Sequence, residues 1–226
     1  MEEKYKLLSA VLQKLQEEGV LNGLVIVGSW CQYYYRILFD NAPEIPLIRT
    51  MDIDFLVPNP SMFKNKVDVS DLLNALGFDS DFDYSTGLVK YVHPDLEIQF
   101  LTPASGRVKD TPYEIKQLNI NAEGLTYMKM LQDYRFSMTH HGVTVWLPEP
   151  EAFCLHKILI SHKRKNPEKK EKVLMAAKSS FNVSAGGHRC FSNVLCGFWI
   201  PDKVPRCFSR PSNPFLFFQD FYACDL

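Results

Sequence analysis

The chain has 226 residues, 46% of them hydrophobic and 23% charged, with a formal net charge of −1. That length suits one large domain or two small ones around an ample core. The near-zero charge argues against a chain that binds nucleic acid through global charge, although a local basic patch remains compatible with it. No apolar run approaches the roughly 20 residues of a membrane-spanning helix.

The N-terminus carries charged residues and no apolar signal core, so the expected location is cytoplasmic. Six cysteines occur, at 31, 154, 190, 196, 207 and 224. With no CxxC pair among them, reduced thiols are expected rather than bridges or a zinc ribbon.

In chain order, residues 3–18 read as an amphipathic helix. Tyr5, Leu8, Val11, Leu12 and Leu15 recur at helical spacing, and Gly19 is a suitable stop. Residues 24–27 form a short apolar strand ending at Gly28. Ser29 is placed to cap a helix that runs to about Leu38. Residues 40–46 are a loop rich in breakers, and residues 48–57 form a strand closed by Pro58.

A second amphipathic helix is expected over 68–76, with Val69, Leu72, Leu73 and Leu76 as its buried stripe. Two strand pairs follow. One covers 88–92 and 96–101 around His93-Pro94-Asp95, and the other 134–139 and 143–147 around His140-His141-Gly142. A helix over 150–163 comes next, and another starts near Pro167.

This order predicts an α+β fold, a mixed sheet flanked by helices with a helical C-terminal portion. The expected divisions are a core over 1–147, the helical portion over 148–179 and a tail over 180–226. In the tail, periodicity is lost, half of the sixteen phenylalanines gather and prolines recur. The tail reads either as an irregular, aromatic- and cysteine-rich extension or as a segment not shaped with the rest, such as an altered reading frame or a poorly ordered end.

The chemistry centres on Arg49-Thr50-Met51-Asp52-Ile53-Asp54-Phe55-Leu56-Val57. Strand alternation sends Asp52 and Asp54 to one face and Ile53, Phe55 and Val57 to the other. Two carboxylates so close repel each other unless a cation sits between them, and magnesium accepts one or two carboxylates together with phosphate oxygens. Upstream, Gly28 lets backbone approach a ligand, and the helix N-terminus after it favours phosphate. On the later strand Glu97 and Gln99 share a face, and Glu97 is the acid able to join the pair.

Gly28-Ser29, Asp52-x-Asp54 and a later strand acid together resemble the nucleotidyltransferase superfamily that includes DNA polymerase beta. More narrowly, Arg49 to Asp54 and the Pro148-to-Lys157 lead into a His-Lys helix resemble bacterial stand-alone nucleotidyltransferases of the abortive-infection, type IV toxin–antitoxin and minimal kinds. The resemblance covers roughly residues 20–178.

It implies attack of a hydroxyl on the α-phosphorus of a nucleoside triphosphate (NTP), with release of pyrophosphate and with two magnesium ions. Asp52, Asp54 and Glu97 are implied as metal ligands and catalytic residues. Gly28, Ser29, Arg49, Lys157 and Arg164 are implied at the nucleotide. The acceptor is RNA, protein or a small molecule. Several relatives carry an acid where Gln99 stands, so the third acid position is either Glu97 or a neutralised Gln99. In the second case the protein is a weak or inactive nucleotide-binding or antitoxin-like partner.

Plainer readings stand beside these. Asp52 and Asp54 also suit the solvent face of an edge strand. Lys157 and Arg164 suit a solvated basic helix, and Lys163 to Lys172 suits a charged surface. His140-His141 reads as a turn, Cys31 and Cys154 as buried small residues, and Tyr33 to Tyr35 chiefly as core.

Overall fold

A computed structural model describes residues 2–42, 45, 50–59, 61–104, 111–163, 165–168, 170–171 and 173–177. Helix α1 (Glu2–Glu17) buries Leu8, Val11, Leu12 and Leu15, the stripe its spacing predicts. Its end is a Schellman turn. Val20 N–H reaches the Leu15 carbonyl at 2.8 Å and Gly19 N–H the Gln16 carbonyl at 3.0 Å. Gly19, at φ +70°, supplies the left-handed residue that this turn needs.

Strand β1 (Val25–Val27) leads into helix α2 (Trp30–Leu38), and β2 (Asp52–Leu56) follows. Helix α3 (Val69–Ala75) begins at Asp68, whose side chain accepts the Asp71 N–H at 3.0 Å, an N-cap of the ordinary kind. Then come β3 (Asp79–Phe82), β4 (Val89–His93), β5 (Leu96–Pro103), β6 (Tyr113–Ile115) and β7 (Ile120–Leu125). Helix α4 (Met128–Asp133), the hairpin of β8 (Arg135–His140) and β9 (Val143–Pro148), and helix α5 (Pro150–Ser161) complete the named elements. Described residues between 167 and 177 are helical again.

The architecture is α+β. The strands run β3-β4-β5-β2-β1-β9-β8, and β7 joins the far end of β5 with β6 beside it. Parallel pairs (β2–β5, β1–β9, β5–β7) mix with antiparallel ones (β1–β2, β4–β5, β8–β9). One sheet face is apolar: Ile26, Ile53, Phe55, Ile98 and Phe100 share a buried cluster with the α1 stripe and with Trp30 and Tyr35 of α2. At its centre the Phe55 and Phe100 rings stack with centroids 5.8 Å apart.

The sequence expectation lacks β3, β6, β7 and α4, as well as a single 3-10 turn over Leu21–Gly23. Strand β3 is exposed throughout, so it carries no alternation to detect. Strand β7 alternates in burial, but its inward residues after Ile120 are Ala122 and Gly124, both poor strand formers. Gly124 is small because the Tyr113 ring of β6 occupies the space where its side chain would stand. The strand expected over 48–57 begins at Asp52; residues 46–49 lie outside the described residues, as does the tail over 180–226. Among the described residues no helix is long and apolar enough to cross a membrane.

Helix α2 is tied to the strand–helix junction ahead of α5 by the buried Tyr35 hydroxyl, which donates to the Pro148 carbonyl at 2.7 Å. Its ring also meets Phe153 edge-on at 5.5 Å. Tyr35→Phe keeps the ring and orphans the carbonyl. Urea unfolding is expected to register a loss of about 1–2 kcal/mol.

Candidate active site

Strand β2 lies between β5 and β1, so the carboxylate pair is in the interior of the sheet and not on an edge strand. Ile53 and Phe55 enter the core while Asp52 and Asp54 face the other way. The parallel ladder with β5 sets Asp52 opposite Glu97 and Asp54 opposite Gln99. Paired residues in a ladder project to the same side, so all four share one face of the sheet.

The glycine–serine corner meets this face directly. Antiparallel pairing sets Val27 opposite Asp54, and Gly28 is the next residue. Its φ is +75°, and a Cβ built on it would collide with the Asp54 carboxylate oxygen Oδ2. Both the backbone angle and the close approach therefore demand glycine. Helix α2 starts immediately afterwards, so its N-terminal N–H groups lie next in chain to the contact with Asp54.

Ser29 occupies the N-cap position, but its hydroxyl does not cap the helix as expected. It hydrogen-bonds Thr50 Oγ1 at 2.6 Å. The residue itself has helical backbone angles (φ −72°, ψ −26°), whereas capping serines adopt extended ones. The bond instead ties the corner to the segment entering β2.

Glu97 is on the carboxylate face, and its Oε1 accepts from Lys90 Nζ of β4 at 2.6 Å. Gln99 donates through Nε2 to Glu123 Oε2 of β7 at 2.8 Å. Lys90 and Glu123 escaped the sequence reading for different reasons. Lys90 lies in a predicted strand, but its partner depends on the β4–β5 register. Glu123 lies in a strand that was not predicted.

The Asp54 carboxyl is pushed up to about 6, first by burial beneath the corner; Lys157 opposes this, Asp52 adds to it, Lys90 opposes and Glu123 adds. Lys157 of α5 is thus within electrostatic reach of the pair, with its ammonium 4.9 Å from the Phe153 ring centroid. Arg49 and Arg164 lie outside the described residues. Burial pushes the Cys31 and Cys154 thiols up to about 12, so neither is a thiolate nucleophile at neutral pH. His156 is buried, and His141 and Gly142 form the hairpin turn with positive φ.

Asp52 and Asp54 are hard oxygen donors on one face. Magnesium is commonly held by one or two carboxylates plus substrate phosphates rather than by an all-protein cage. The donor set fits that arrangement. Among the described residues no three His, Cys, Asp or Glu side chains already form a metal cage. This accords with Glu97 being engaged by Lys90 and with an amide opposite Asp54.

Among solved structures, an antigenic nucleotidyltransferase-like protein from Paracoccidioides brasiliensis is similar at 18% identity and a TM-score of 0.43, over 81% of this chain and 77% of that one. No curated protein sequence matches the chain. The nucleotidyltransferase family model matches residues 6–185. A match over that much of the sequence, with a glycine–serine corner set against paired aspartates, means that the chain belongs to the nucleotidyltransferase family.

Proposed function

We propose that this protein transfers a nucleoside monophosphate from a nucleoside triphosphate to a hydroxyl on RNA, protein or a small molecule. The observation that carries this reading is the contact of Gly28 with the Asp54 carboxylate. It joins a helix N-terminus suited to phosphate with a carboxylate pair suited to a hard cation.

In this reading Asp52 and Asp54 hold magnesium, and the N–H groups around Ser29 hold the outer phosphates. Bound magnesium supplies charge stabilisation at the α-phosphorus as pyrophosphate departs. Lys157 neutralises triphosphate oxygens from α5, a role in which a flexible ammonium acts as a point charge. Glu97, opposite Asp52, orients the attacking hydroxyl and accepts its proton once freed from Lys90.

A second reading is nucleotide binding without turnover. It is favoured by Gln99, a neutral side chain opposite Asp54, and by the engagement of Glu97 with Lys90. Incubation with triphosphate labelled at the α-phosphorus, magnesium and candidate acceptors separates the two. Transfer predicts a labelled acceptor and pyrophosphate, both lost in Asp52→Asn while the circular dichroism spectrum is unchanged. Triphosphate affinity with no product from any acceptor would favour the second reading, and the absence of both would end the first.

A further inference from the structure

Lys90 belongs to the carboxylate face, although no strand pattern singles it out as functional. The β4–β5 ladder pairs Val92 with Glu97. Lys90, two residues before Val92, therefore projects to the same side. Its ammonium sits 2.6 Å from Glu97 Oε1, and Glu97 stands opposite Asp52. The ammonium, bonded to Glu97, stands on the face that also carries Asp52 and Asp54.

The pair differs from an ordinary cross-strand ion pair in what surrounds it. An exposed pair is worth little to stability, and with the Lys90 side chain 43% exposed this one is partly screened. Its consequence lies in occupancy. An acid that would serve as a third oxygen ligand is already neutralised by a tethered monovalent cation.

We propose that Lys90 is a built-in cation that competes with a second divalent ion for Glu97, so that the protein is set to take one ion at Asp52 and Asp54. This rests on the metal-dependent reading above. Removing Lys90 leaves Glu97 without the ammonium bonded to it, while Lys157 still acts on Asp54. A second ion then gains Glu97 as a ligand and no longer meets the Lys90 charge beside it.

The test is titration of the nucleotide-free protein with Mn2+, read by electron paramagnetic resonance as the number of bound ions and their affinities. Lys90→Met is expected to tighten the second ion at least about tenfold over wild type, given the loss of a unit positive charge beside its ligands. Lys90→Arg, which keeps the charge, should behave as wild type, and Lys90→Met with Glu97→Gln should lose the gain. Lys90→Gln is the substitute if the methionine variant does not fold.

No tightening in either neutral variant overturns the proposal, as does a second ion equally tight in the arginine and methionine variants. The underlying reading is judged separately, on the first ion. Its persistence in Asp52→Asn counts against metal binding at the aspartate pair, whatever happens at Lys90.

Discussion

Asp54→Asn is expected to remove nucleotidyl transfer, by at least about a hundredfold in kcat/KM, while making the metal-free protein more stable. Loss of an outer-shell partner to a metal already costs about 10–100-fold, and in the proposed function Asp54 is a direct ligand. The gain in stability has an electrostatic origin. Burial and the neighbouring Asp52 carboxylate raise the Asp54 pKa from 3.8 to about 6, against the pull of Lys157 and Lys90.

A carboxyl whose folded pKa is raised binds more protons in the folded state than in the unfolded chain between those two values. Its contribution therefore declines as pH rises through that window, and above it the folded state carries a constant penalty. The asparagine variant carries none. The difference between variant and wild type should be small near pH 4, grow towards pH 6 and then level off. An increase of about 2–4 °C in Tm at pH 7 corresponds to about 1 kcal/mol in a domain of this size. Thermal melts in chelator across pH 4–7, beside an activity assay in magnesium, measure both effects. A variant equally active, or less stable at pH 7 than at pH 4 relative to wild type, would contradict the placement of Asp54.

Gly28→Ala is expected to damage both fold and site. An L-residue held at φ +75° costs roughly 1–2 kcal/mol. The added methyl would also occupy the position of Asp54 Oδ2. A carboxylate can rotate away where backbone cannot, so the strain is relieved by turning Asp54 out of the pair. Displacing a positioned group by ~1 Å can cost about 10²-fold in rate, and a loss of at least that size is expected.

Gly19→Ala is the matched control. Gly19 has a similar angle, φ +70°, with nothing within 4 Å of a built Cβ. It should lose similar stability in urea and keep full activity. Equal activity loss in the two variants would mean that the effect of Gly28→Ala comes from general destabilisation and not from the carboxylate.

Much of the frame was legible because it rests on local periodicity. The stripe of α1, the apolar run of β1 and the opposed faces of β2 follow from chain geometry that repeats every few residues. The same alternation placed Asp52 and Asp54 together and Glu97 beside Gln99. Ser29 was legible as a corner residue but not in its partner, because the Thr50 bond joins two separate segments. Strand β7 was lost because Ala122 and Gly124 hide an inward face behind small side chains, and Glu123 was lost with it.

What the amino-acid order determined by itself was which side chains travel together on a strand or a helix, since neighbours along the backbone leave a fixed angle between successive Cβ atoms. Only the tertiary structure decided that Glu97 stands opposite Asp52 and is held by Lys90, that Gln99 is tied to Glu123, and that Gly28 closes over Asp54. Those relations depend on strand order and register. Both are set cooperatively, by burying one whole face of the sheet at once, and no short stretch of sequence carries them.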